Sequence, residues 1–124
     1  MAIVVGYIPT KEGAAALARA GEEALLRKTD LVVINSGRDG AGDDSEELDR
    51  LGDELKGKGV GVKVRQLIRG NEPAEDLIAV AEEIGADLIV IGLRRRTPVG
   101  KLILGSNAQR ILLDAPCPVL AVKS

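Results

Sequence analysis

The sequence predicts an α/β protein, a doubly wound parallel sheet with helices on both faces. Three observations carry that prediction. Short continuous apolar runs recur at Ala2 to Val5, Leu31 to Ile34, Leu88 to Ile91 and Val119 to Val122, the length and composition of strands buried on both sides. Between them lie segments whose apolar residues recur at helical spacing. Glycine and proline punctuate the joints. Strands alternating with helices imply right-handed crossovers, and hence strands that run parallel.

Taken in order, Ala2 to Val5 is β-branched and ends at Gly6, as a buried strand should. Thr10 is placed to cap the first helix, whose Leu17, Gly21, Ala24 and Leu25 share one face. After the second strand, Leu31 to Ile34, the composition turns to Gly, Asp and Ser from Ser36 to Asp44, which reads as a loop. Asp44 with Glu47 resembles a capping pair, and Leu48, Leu51 and Leu55 give a thin apolar stripe before Gly57 and Gly59. The narrow stripe makes this helix the most exposed. Val60, Val62 and Val64 then alternate with Gly61, Lys63 and Arg65, a period of two with one wetter face, which places this strand at a sheet edge.

Pro73 suits the first position of a third helix with Leu77, Ile78, Ala81 and Ile84 on its core face and Gly85 as its stop. Glu72, Glu75 and Asp76 complement the positive end of that helix and do not read as a catalytic carboxylate pair. The run Leu88 to Ile91 stops at Gly92, a loop with Arg94, Arg95 and Arg96 follows, and Gly105 and Ser106 open a helix to Leu113 that Pro116 and Pro118 terminate. Val119 to Val122 is the fifth strand.

Length and composition set limits. A chain of 124 residues makes one domain over 1–124, too short for two ordinary ones. With 17 basic and 19 acidic residues, the net charge of −2 exerts no bulk pull on nucleic acid or anionic membrane. Neither a signal peptide nor a membrane-spanning stretch is expected, so the reading is cytoplasmic. The chain lacks histidine, which removes triads built on imidazole and imidazole metal sites. Tyr7 is the sole aromatic, leaving no platform for stacking nucleic-acid bases. The lone Cys117, between two prolines, reads as a small packing residue, with a redox-sensing thiol as the alternative.

A strand, a glycine-bearing loop and a helix start can hold phosphate, because glycine permits close approach and the first helical amides are unpaired donors. Gly92-Leu93-Arg94-Arg95, Gly105-Ser106 and the run from Asp114 to Val122 resemble the C-terminal signature of the universal stress protein family. Its nucleotide-binding members show a glycine, two residues, a second glycine, nine residues and a third glycine followed by Ser or Thr. Gly92, Gly105 and Ser106 match, and Arg95 stands at the middle glycine. The likeness covers the whole chain, with Val4 to Tyr7 similar to the first strand and Gly70 with Pro73 similar to the turn after the third.

The resemblance implies the strand order 3-2-1-4-5, with a ligand site where the first and fourth strands flank the switch in order. It implies adenine near Ile8, Pro9 and Ser36, and phosphates on the amides of Gly105, Ser106 and Asn107. Tyr7, Thr10, Gly92, Arg94 and Arg95 complete the candidate set. ATP or AMP is the implied ligand, with Mg2+ accompanying ATP, and pairing through the last strand gives a homodimer. Relatives carry an aspartate that accepts from the ribose hydroxyls where this chain has Ile8. Losing that bond costs about ten- to a hundredfold in affinity. Arg95 either obstructs the phosphate or holds it through its guanidinium.

The function that follows is a small stress-response or signalling module that binds an adenine nucleotide weakly or conditionally. The alternative is a dimeric interaction protein of the same fold without nucleotide. An ATP-hydrolysing enzyme is the weakest reading, since no water-activating base stands out at the phosphate site.

Overall fold

In a computed structural model, residues 2–8, 10–35, 42–66, 72–93 and 105–123 are described, residues 42–47 through their backbone alone. The elements alternate throughout: β1 (Ala2–Tyr7), α1 (Lys11–Arg27), β2 (Asp30–Asn35), α2 (Gly42–Gly57), β3 (Val62–Gln66), α3 (Pro73–Ile84), β4 (Leu88–Leu93), α4 (Ser106–Asp114) and β5 (Val119–Lys123). The strands form one sheet in the order β3-β2-β1-β4-β5, and every described pairing is parallel.

Alternation along the strands divides the core in two. Ile3, Val5 and Tyr7 of β1, with Leu31, Val33, Leu88 and Val90, face α1 and α2 through Ala16, Leu17, Ala20, Ala24, Leu48 and Leu55. Val4, Val32, Ile34, Ile89 and Ile91 face α3 and α4 through Ala74, Leu77, Val80, Ala81 and Ile111. Helix α1 lies close to the central strands because its buried face is mostly Ala and Gly. The chemistry-bearing loops therefore leave a rigid sheet at one end.

Three helices close alike. The amides of Thr29, Val60 and Ala86 reach back to the carbonyls of Ala24, Leu55 and Ala81, after a residue at positive φ. That residue is glycine at Gly59 and Gly85, as the sequence anticipates, and is Lys28 after α1.

Several boundaries differ from the sequence reading. β1 continues to Tyr7 and β2 to Asn35, because their ladder stays in register to Tyr7 opposite Asn35. α2 begins at Gly42, so Asp44 lies inside the helix and not at its cap; the rest of the expected loop, 36–41, is outside the described residues. Val60 is not in the third strand, since its amide is spent on Leu55, and β3 runs Val62–Gln66. β3 is at the edge as expected, with Val64 43% exposed. β4 does not stop at Gly92; pairing with β5 carries it to Leu93. In α3, Ala74 and Val80 join Leu77 and Ala81 in the core, while Ile78 and Ile84 are half-buried.

Candidate functional site

The site is set by the sheet. β1 and β4 are neighbours, yet α1, following β1, covers one face and α4, following β4, covers the other. A crevice must open beyond their C-terminal ends. A pocket of ≈ 180 Å³ sits there, with Gly6, Tyr7 and Ile8 at the end of β1, Ile91 and Gly92 from β4, and the first turns of α1, α3 and α4. Three helix N-termini thus converge on one small volume, each carrying a partial positive charge.

Local packing builds its wall. Thr10 caps α1, its Oγ1 accepting from the Gly13 amide at 3.1 Å. The Thr10 amide in turn donates to the Ile8 carbonyl at 2.8 Å, folding the β1–α1 connection tightly. A β-carbon on Gly13 would strike the Ile8 carbonyl, and one on Gly92 would strike the Glu12 carbonyl. Both glycines are therefore needed for the chain's own backbone to close up. The side of Gly92 that lacks a β-carbon is occupied by the first turn of α1, while the residue itself lines the pocket.

α4 brings its N-terminus to the same end of the sheet. Gly105 is its N-cap with no side-chain partner, and the first amide bonded back into the helix is that of Gln109, to the Gly105 carbonyl at 3.0 Å. The amides of Ser106, Asn107 and Ala108 precede it, and helix geometry gives them no acceptor within the helix. Among the described residues, nothing beyond its chain neighbours lies within 4 Å of where a β-carbon on Gly105 would stand. Asn107 has a second duty: its Oδ1 accepts from the Ala74 amide at 3.0 Å, capping α3, whose own N-cap Glu72 makes no side-chain bond.

Of the residues singled out from sequence, Tyr7, Ile8, Gly92 and Asn107 line the pocket. Tyr7 is only 2% exposed and packs its ring in the core under α1, so it borders the site without presenting an open side chain. Thr10, Gly105 and Ser106 stand beside the pocket but do not line it. Pro9, Ser36, Arg94 and Arg95 lie outside the described residues.

Glu12 and Gly13 are the residues the sequence reading missed. The signal for Gly13 was available, three positions past the cap in a tight turn. Glu12 reads from sequence as a first-turn acidic residue, yet it lines the pocket. Its Oε2 is enclosed and has no hydrogen-bond partner, the one such side-chain atom among the described residues. Among the described residues no cluster of three metal-ligating side chains occurs.

Residues 1–123 match the universal stress protein family. A universal stress protein of Mycolicibacterium smegmatis is 44% identical over 126 residues, covering 98% of this chain and 96% of that protein. The universal stress protein of Archaeoglobus fulgidus, solved in complex with dAMP, superposes with a TM-score of 0.72 at 30% identity over 99% of this chain and 98% of that one. A universal stress protein solved in complex with cAMP gives 0.77 at 26% identity, over 99% and 96%.

Proposed function

The chain belongs to the universal stress protein family, and from that premise we propose that it is a cytoplasmic stress-response or signalling module that binds an adenine nucleotide, ATP or AMP, at the β1/β4 crevice. The observation that carries the proposal is the open N-terminus of α4 beside a pocket at the switch in strand order. Phosphates rest on the amides of Ser106 and Asn107, with the Ser106 hydroxyl as a further donor and Mg2+ travelling with ATP. Two relatives of the same fold hold adenine nucleotides, dAMP in one and cAMP in the other. A homodimer formed through β5 presents two such sites.

Affinity is modest in this reading. Ile8 offers no polar side chain to the ligand, and the Thr10 oxygen already accepts from the Gly13 amide, which leaves only its O–H to offer. These two residues favour the second reading, a dimeric interaction protein that has lost the nucleotide. A thermal-shift series with ATP, ADP and AMP separates the readings, because ligand at a hundred times its dissociation constant stabilises the fold by about 2.7 kcal/mol. Gly105→Val adds bulk next to the phosphate amides at a position where a β-carbon meets no described residue within 4 Å, so it should lose the nucleotide response with little change in melting temperature. Arg95→Gly tightens ATP if the side chain obstructs, and weakens it while flattening its salt dependence if the guanidinium is a ligand. No shift with any nucleotide at millimolar concentration removes the binding assignment.

A further inference from the structure

The two faces of β3 differ. Register sets Lys63 opposite Val32 and Arg65 opposite Ile34, on the side of the sheet that α3 and α4 cover. Yet no residue of β3 belongs to the apolar layer beneath those helices, so this part of the face is left open. A depression of ≈ 380 Å³ lies there, lined by Val32 and Ile84 together with Lys56, Lys63, Arg65 and Asp30. Its charge is unbalanced. The chain as a whole carries −2, whereas three cations and one carboxylate line the depression, and Asp30 is already engaged, its Oδ1 accepting from the Gly61 amide at 3.2 Å. Arg65 donates to Glu83 at 2.8 Å, an exposed pair that leaves the guanidinium further N–H groups to give. Among the described residues neither Lys56 nor Lys63 is paired with a carboxylate. On the other face Val62 is half-buried and Val64 is 43% exposed.

Alternation on β3 dictates what could lie beside it. A second β3 would set cation against cation, so the charges deter self-pairing. A strand with carboxylates on one face and apolar side chains on the other meets Lys63 and Arg65 with its acids, and Val62 and Val64 with its apolar residues. The outer N–H and C=O groups of β3, which pair with no strand among the described residues, would bond to its backbone. We infer that the β3 edge docks an extended segment of a partner protein in which acidic and apolar residues alternate, added to the sheet beside β3. This chain is not its own partner here, because nowhere in it do acidic and apolar residues alternate over the length of β3. The edge is at the far side of the sheet from β5 and apart from the β1/β4 pocket, so the inference holds or fails without the dimer or the nucleotide.

Fluorescence anisotropy with labelled Thr-Glu-Val-Glu-Val-Glu-Thr tests this. One control, Thr-Glu-Glu-Val-Val-Glu-Thr, keeps the composition without the alternation, and another, Thr-Lys-Val-Lys-Val-Lys-Thr, keeps the alternation with the opposite charge. The alternating acidic peptide should bind the parent about tenfold or more tightly than either, the combined effect of several cross-strand pairs. Lys63→Glu should weaken it by about tenfold, and Lys63→Glu with Arg65→Glu should weaken it further. Both side chains are exposed, so melting temperatures should stay near the parent's, and Lys63→Glu alone decides the matter if the double variant folds poorly. Backbone pairing has its own readout. Alternate amides of a strand point to opposite sides, so methylating the Glu nitrogens or the Val nitrogens of the peptide should abolish binding in one case and spare it in the other. Equal binding of the composition-matched control, or equal effects of the two methylations, reduces the contact to adsorption by charge and overturns the inference. Unchanged binding by Lys63→Glu places the peptide elsewhere and overturns it, as does a parent that binds no acidic peptide at millimolar concentration.

Discussion

Gly13 and Gly92 show how one missing β-carbon can shape the wall of a pocket. Each lets a backbone carbonyl of the same chain occupy the space, Ile8 over Gly13 and Glu12 over Gly92. Gly92→Ala should lower stability by about 1–3 kcal/mol, the usual cost of overpacking, because the obstructing atoms are backbone and cannot rotate away. Chemical denaturation reads this directly, and a melting temperature equal to the parent's would show that α1 shifts freely over β4. Cys117 behaves differently. It is half-buried beside Val119 and Ala121, and burial first, then the Asp87 carboxylate, pushes its thiol up from the ordinary range. At neutral pH it should alkylate more slowly than an unhindered thiol, which disfavours a redox-sensing role. The sign for stability follows: the unfolded thiol ionises first, so the contribution of Cys117 is whole below the unfolded pKa and is lost as pH rises through the folded one. The parent's stability should fall more steeply than that of Cys117→Ala above about pH 8.5.

At the scale of elements, α3 and α4 are joined at their N-termini by a bond that neither helix could make alone. The Ala74 amide has no cap from Glu72 and takes the Asn107 side chain instead, while Arg110 and Glu75 pair at 3.3 Å on the outside. Asn107→Ala should therefore destabilise the fold by about 1–3 kcal/mol through the unsatisfied amide. It should also weaken nucleotide through looser placement of α4, whereas Gly105→Val affects binding alone. A variant with native stability would mean that water replaces the side chain. Such contacts explain what was legible in the sequence and what was not. Thr10, Pro73, Gly85 and the four apolar runs announce elements through local rules of capping, turn geometry and burial. The order of the strands came only with the family likeness, since a buried parallel strand reads the same in any position. Asn107 bonds to an amide 33 positions away in the chain, and that pairing has no local signature. The same is true of the extra residues of β1, β2 and β4, which are strand because a neighbour pairs with them.

The whole molecule has two unlike edges. β3 carries exposed Lys63 and Arg65 on one side and is charged along its length, as a solitary edge strand should be to discourage pairing. β5 is charged only at its last residue, Lys123: Val119, Leu120, Ala121 and Val122 are each only half-buried, two packing toward α1 and two toward α3 and α4. On α4, Leu113 is 83% exposed and Leu112 is 42% exposed. An apolar strand with open N–H and C=O groups on one side is completed by a second copy of itself about a two-fold axis, which joins the two sheets. The expected solution state is a dimer at tens of micromolar by sedimentation velocity, and a monomer at every concentration tested would sink the proposal. Leu120→Asp should dissociate it, but Leu120 also packs on the core beneath α1, so the variant must be compared at a concentration where the parent is monomeric. If its melting temperature there matches the parent's fall on dilution, the lost contacts are intermolecular; a larger fall means that the charge has struck the core. Val64→Asp makes the same change on β3, where the side chain is already exposed, and should leave the dimer intact, which separates pairing at β5 from a general effect of added charge.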